Sequence, residues 1–213
     1  MQPATSRLLI GCAMIGAGLL LLLERFGLSE PLRLLLWAAM AGAAGTVFVL
    51  IRMSSTTHWW ASIPGSVLLG LALVLVLQML SPRAAASWSG MVFLGALALG
   101  FWSIFLSNRA LWWAIIPGGV LGTLALISGS TVFIDPAWLG ALFFAGFAAT
   151  FGLVYLLAPG EQPRRWALYP AGIMLFMSLV VLAPGGMLFN FWWIVLILAG
   201  AYLTIQSLRP AKA

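Results

Sequence analysis

The sequence predicts an all-α integral membrane protein, with eight transmembrane helices arranged as four repeated helical hairpins and both termini inside. Three observations carry that expectation. The 213 residues are 63% hydrophobic and only 7% charged, with a mean hydropathy of +1.12. A water-facing surface needs far more charge. Apolar runs of about 20 residues, long enough to cross a bilayer, fill nearly the whole chain and leave no room in it for a separate soluble domain. Third, a heptapeptide recurs. Trp59-Trp60-Ala61-Ser62-Ile63-Pro64-Gly65 is followed by Trp112-Trp113-Ala114-Ile115-Ile116-Pro117-Gly118 and, in degenerate form, by Arg165-Trp166-Ala167-Leu168-Tyr169-Pro170-Ala171. The prolines lie 53 residues apart both times, and so do Trp60, Trp113 and Trp166. A fixed period of this length marks a repeat architecture.

Each span follows from its boundaries. The first runs over about 8–23 and ends at Glu24-Arg25. The second starts after Glu30-Pro31, where a first-turn proline sacrifices no helical bond, and runs to Ile51. Spans three and four cover about 59–80 and 88–106, and the fifth about 111–128. The sixth, about 136–157, opens on Asp135-Pro136, a cap followed by a first-turn proline. Spans seven and eight cover about 166–182 and 191–208. In lipid every backbone polar group must be satisfied internally, and the patterning is too continuously apolar for a barrel, so the spans are helices.

Basic residues orient the array. With the N-terminus in the cytoplasm, that side carries Arg7, Arg52, Arg109, Arg164, Arg165, Arg209 and Lys212. The other side carries Arg25, Arg33 and Arg83, with three of the four acids, Glu24, Glu30 and Asp135. The bias toward the first side predicts both termini inside, in a bacterial cytoplasmic membrane. The net charge of +6 and pI near 10.8 are spread singly between apolar runs, so no nucleic-acid partner is expected.

The hairpins fall at about 7–52, 58–107, 111–158 and 165–208, within one transmembrane domain, 1–213. Their second helices carry Gly42, Gly95, Gly146 and Gly200, at spacings of 53, 51 and 54, each beside further small residues. Small residues at one depth let helices approach closely, so these glycines are expected at packing faces. The first hairpin lacks the Trp and Pro, as an end repeat can. Successive hairpins share one orientation, unlike the inverted repeats of many secondary transporters. They either close into a pseudo-fourfold bundle or lie as an open ribbon.

Candidate sites are few. Every charged residue sits at a span end, which leaves proton relay, ion coupling and carboxylate catalysis without candidates and predicts no enzyme. Cys12 is the lone cysteine, excluding an internal disulfide and a multi-cysteine metal site. Leu9-Ile10-Gly11-Cys12 is shaped like a lipoprotein cleavage box, but the apolar run continues past it, so neither lipidation nor signal cleavage is expected. His58, the one histidine, lies at the cytoplasmic boundary beside Trp59. It is a weak candidate axial ligand for a haem or chlorophyll-type pigment; an interfacial histidine near lipid headgroups is the reading preferred, and no cofactor or metal is predicted.

Ten of the eleven tryptophans lie near span starts, where an amphipathic ring anchors at headgroup level. The prolines admit two readings. Pro64, Pro117 and Pro170 can each interrupt a helix that starts at the Trp, opening the carbonyls of Trp60, Trp113 and Trp166 toward an amphiphile or partner. Alternatively each proline simply occupies a first turn, which is the preferred reading. The midspan hydroxyls of Thr46, Ser66, Thr123, Thr150 and Ser178 are expected to bond within their own helix or to a neighbour.

The stretches Arg7-Leu8-Leu9-Ile10-Gly11 and 16–27, glycine-spaced apolar sequence ending in Glu24-Arg25-Phe26-Gly27, resemble the transmembrane region of bacterial LiaF/LiaI-type proteins. The Trp-Trp-Ala-x-Ile-Pro-Gly hairpins look like those of other multi-span bacterial membrane proteins. The first resemblance covers about a quarter of the chain and implies a part in envelope-stress signalling.

Function is therefore expected to be that of a non-enzymatic membrane scaffold or accessory subunit, packing laterally against lipids or a larger membrane complex. The alternative is a carrier or channel-like protein for a neutral or amphiphilic small molecule, and a second alternative is a stress-signalling partner.

Overall fold

A computed structural model describes residues 27–158 and 164–182 continuously, with Gly11, residues 14–16, Gly18, Leu21, Leu22, Arg25, Ile197, Gly200 and Thr204. The described part is helical, with no strand among these residues. Six helices are long and apolar enough to cross a membrane: α1 (Glu30–Ser54), α2 (Ser62–Leu80), α3 (Pro82–Ser107), α4 (Ile115–Ser130), α5 (Pro136–Leu157) and α6 (Leu168–Leu182), three of them with short 3-10 lead-ins. They correspond to expected spans two to seven. The isolated described positions of spans one and eight have helical backbone, and the remainder of those spans lies outside the described residues.

Local chemistry sets the ends. At α1, Glu30 stands in the first turn beside Pro31 and Arg52 in the last, each favourable to the helix dipole. The guanidinium of Arg33 donates to both carboxylate oxygens of Glu30 at 2.6 and 2.7 Å, one turn along. Before α1, Gly27 takes φ +78°, the left-handed region that only glycine enters freely. α3 begins at Pro82, six residues ahead of the expected start at Trp88. The reason is a cap: the Ser81 hydroxyl accepts from the Ala84 N–H at 3.3 Å, and Pro82 takes the first-turn position. Trp88 therefore stands well inside α3.

Every substantial helix–helix contact among the described residues joins consecutive helices, and each such pair is antiparallel. Residues 42, 45 and 48 of α1 face 72, 69 and 65 of α2, and Ser62, Ser66 and Gly70 of α2 face Ser103, Gly100 and Ala96 of α3. The six described helices thus run as a row of consecutive antiparallel pairs, with no substantial contact between α1 and α6.

Small residues bring the row together. A methyl built on Gly45 would lie 2.8 Å from Leu69 Cγ, and one on Gly70 would lie 2.9 Å from Ala96 Cβ, closer than side chains approach. Gly146 of α5 lies against the Thr123 side chain of α4, and Gly119 of α4 lies against Thr150 of α5. The two Gly-x-x-x-Thr segments dock reciprocally, each threonine seated on the other helix's glycine. Each hydroxyl meanwhile donates to its own helix, Thr123 to the Gly119 carbonyl at 2.9 Å and Thr150 to that of Gly146 at 2.8 Å. The polar groups are satisfied within the helices, as lipid requires.

The four marker glycines are not equivalent in this respect. Gly146 is in the tight contact just described. Gly42 and Gly95 meet Ala72 and Ala125 at 3.7 and 3.9 Å from a built Cβ, ordinary van der Waals distances, and Gly200 meets nothing within 4 Å among the described residues. Contacts recur at the motif period. Gly42·Ala72 and Gly95·Ala125 are displaced by 53 residues in both members, and so are Gly65·Phe48 and Gly118·Phe101, each at 3.3 Å from a built Cβ to the phenylalanine Cβ.

Candidate functional site

The three motif copies lie at one end of the row, where α2, α4 and α6 begin and α1, α3 and α5 finish. Each copy makes the same local structure. Short 3-10 turns at Thr56–Ala61, Trp112–Ala114 and Arg165–Ala167 run directly into the α-helices. The N–H groups of Ser62, Ile115 and Leu168 each reach two carbonyls of the preceding turn: Trp59 and Trp60, Trp112 and Trp113, and Arg165 and Trp166. Pro64, Pro117 and Pro170 are each the third residue of their α-helix and half-buried. They occupy the first turn, where a missing N–H does little harm. The carbonyls of Trp60, Trp113 and Trp166 lie within reach of the N–H two residues on.

The motif alanines, Ala61, Ala114 and Ala167, are all 0% exposed. Ala114 and Ala167 belong to a buried cluster with Ile104, Phe105, Ile115 and Val154, against which Trp59, Trp112 and Trp113 pack. The largest fully buried side chains among the described residues, Phe105, Ile104, Ile115 and Val154, all lie at the motif end, while the helix middles bury mostly alanine and glycine.

The tryptophans form two interlocking sets of edge-to-face contacts. The second Trp of each copy meets a phenylalanine of the preceding helix. Phe48–Trp60, Phe101–Trp113 and Phe151–Trp166 have ring centroids 6.1, 6.3 and 6.4 Å apart at 80°, 79° and 75°. The first Trp of each copy meets the second Trp of the next. Trp59–Trp113 lies at 5.4 Å and 73°, and Trp112–Trp166 at 6.4 Å and 64°. Edge-to-face geometry at these separations is attractive because the positive ring edge meets the negative face. In the third copy Arg165 replaces the first Trp, so the ladder carries no further ring there.

Basic side chains surround the ladder. The Arg164 guanidinium lies over the Trp112 ring, 3.9 Å from its centroid, and that of Arg109 lies over Phe105 at 4.5 Å. The Nε atoms of Arg52 and Arg164 are buried, with no hydrogen-bond partner among the described residues. His58 is half-buried, its Nδ1 3.3 Å from the Ser54 hydroxyl and 3.3 Å from the Ile51 carbonyl. The ring is thus held against the end of α1. Among the described residues no group of three or more His, Cys, Asp or Glu side chains is placed to share a metal ion.

Away from this end, an open apolar groove of about 400 Å³ lies between α1 and α2, lined by Trp37, Met40, Ala41, Ala44, Leu68, Leu71 and Leu75. The midspan hydroxyls are engaged with backbone carbonyls. Thr46 donates to Gly42 at 2.8 Å and Ser66 to Ile63 at 2.9 Å, and Ser178 crosses to the Ala141 carbonyl at 2.9 Å.

Of the residues expected at a site, the structure brings Trp113 and Trp166 into the ladder through Trp59 and Trp112. Trp60 sits on Phe48, and the prolines stand apart, each in its own helix. Sequence reasoning missed Trp59 and Trp112 as the linking rings, and Arg164 as a stacked cation. The adjacent Trp pairs were the available signal: neighbours on one helical turn point in different directions, so one ring can serve its own copy and the other the next. No protein-family model, curated protein or solved structure matches the chain.

Proposed function

We propose that the chain is a non-enzymatic integral scaffold or accessory subunit of a bacterial cytoplasmic membrane, docking laterally against a larger membrane complex. In this reading it has eight spans as four hairpins of about 53 residues, both termini inside, with the motif end at the cytoplasmic leaflet. The recurrence of Gly–Ala, Gly–Phe and Phe–Trp contacts at the motif period supports the hairpin array.

The observation that supports this reading is the consecutive packing of the described helices, which leaves many large apolar side chains exposed among them. A carrier needs a polar or shaped interior; a lateral scaffold needs a stiff surface. The tight glycine contacts and the aromatic ladder supply stiffness, and the large exposed side chains Leu99, Leu126 and Leu156 supply surface. In lipid such surfaces associate through packing rather than expulsion of water, so a partner must match them in shape.

The test is a photo-crosslinking amino acid placed at Leu99, Leu126 or Leu156 and activated in native membranes. The proposal expects discrete, heavier protein adducts from positions on one face of the row. Adducts to lipid alone at every position would refute it.

A further inference from the structure

We infer that the motif end holds a specific site for the phosphodiester headgroup of an anionic phospholipid, built from Arg164, Trp112 and Arg109. This rests on the reading that the motif end faces the cytoplasmic leaflet, and it names the lipid partner of that end.

Arg164 is the centre. Its guanidinium lies over the Trp112 ring at 3.9 Å, and Trp112 is itself held by Trp166 and by the buried cluster. The ring covers one side of the guanidinium and leaves its N–H groups to bond in their own plane. Nε is buried without an acceptor among the described residues. The part of the guanidinium that a headgroup can reach is its outer edge, where a planar fork fits the two non-bridging oxygens of a phosphodiester. Arg109 lies over Phe105, a member of the same cluster, and brings a second cation to the same end.

The surroundings select a lipid over a free anion. Among the described residues this end also carries Arg52, His58 and Arg165 and no carboxylate; Glu161, the one acid that the sequence places on this side, lies outside them. Leu106, three residues before Arg109, is exposed at 61%, apolar surface along which an acyl chain can lie. Trp166, exposed at 45%, stands at the depth where an indole ring meets glycerol and headgroup. A site with cations above and bare leucine below matches a molecule with phosphate above and hydrocarbon below.

The experiment uses the full chain in dodecyl maltoside and native mass spectrometry to count bound dioleoylphosphatidylglycerol or dioleoylphosphatidylcholine. An arginine beside an anionic lipid surface strengthens attachment by about fivefold, so Arg164→Gln should weaken phosphatidylglycerol binding about fivefold and Arg109→Gln with Arg164→Gln about 25-fold. Arg83→Gln, at the other end of α3, should change nothing. Arg164→Lys keeps the charge but loses the planar fork, and should fall between wild type and Arg164→Gln; it guards against an Arg164→Gln that misfolds. Equal retention of the two lipids, or undiminished phosphatidylglycerol binding by Arg164→Lys and the double variant, would overturn the site. Displacement of the lipid by millimolar inorganic phosphate would overturn the lipid assignment in favour of a free-anion site. Because the assay uses the isolated chain, lipid binding can succeed while crosslinking to a protein partner fails, or the reverse.

Discussion

The aromatic ladder should show up as a coupling energy between residues 54 positions apart, Trp59 and Trp113. The perturbation is Trp59→Ala, Trp113→Ala and the double variant. In a water-soluble core each truncation would cost about 3–5 kcal/mol, mostly from lost burial and the cavity left behind. Here acyl chains can refill much of the vacated space, so the single variants should cost less. What lipid cannot replace is the oriented contact, with centroids 5.4 Å apart and rings at 73°. Such a contact is worth about 0.5–1.5 kcal/mol beyond area. Unfolding in mixed detergent micelles, followed by far-ultraviolet circular dichroism, gives the four stabilities of the cycle. The double variant should be destabilised by about 0.5–1.5 kcal/mol less than the sum of the singles. Trp59 with Trp138, at the opposite end of the row, is the control pair and should be additive within about 0.5 kcal/mol. If the Trp59–Trp113 coupling is no larger than the control, the ladder is only a set of rings at one depth.

Other expectations follow from single contacts. Gly146→Ala drives a methyl into Thr123 and should destabilise by about 1–3 kcal/mol, whereas Gly95→Ala, whose methyl would sit 3.9 Å from Ala125 Cβ, should stay within about 0.5 kcal/mol in the same unfolding assay. Ser178→Ala removes the hydroxyl that crosses to the Ala141 carbonyl and should cost only about 0.6 kcal/mol, because that carbonyl lies inside α5 and keeps its own helical donor. Pro64→Ala with Pro117→Ala should shift stability by no more than about 1 kcal/mol per site, because both prolines sit in first turns. The same double variant should leave small-molecule flux into proteoliposomes at its wild-type level, whereas altered flux at normal expression would favour a carrier.

The apolar spans were legible because lipid imposes one rule on all of them: continuous hydrophobicity with internal hydrogen bonding. Spans two to seven correspond to α1 to α6, and the Asp135-Pro136 boundary located the start of α5 to the residue. The start of α3 was misplaced because Trp88 was read as an interfacial anchor, while Ser81-Pro82 carried the stronger local signal. Side-chain partnering was harder to read. Period alone selected Gly42, Gly95, Gly146 and Gly200 as equals, yet closeness depends on helix rotation and on what stands opposite. Gly146 faces a branched threonine at short range, whereas Gly42 faces an alanine that already leaves room. For the same reason the Trp pairs were visible as interfacial residues but not as a ladder. Which ring meets Phe101 and which meets the next copy is fixed by the 3-10 turn, and that turn has no clear signature in sequence.

The most direct test of the central claim is the mass of the particle extracted from native membranes in mild detergent, with its components identified by mass spectrometry. The account predicts a particle well above the 22.8 kDa of one chain, after subtraction of detergent and lipid, with a protein partner in fixed proportion. A lone chain carrying a defined small molecule and no protein partner would contradict it and put a carrier in its place.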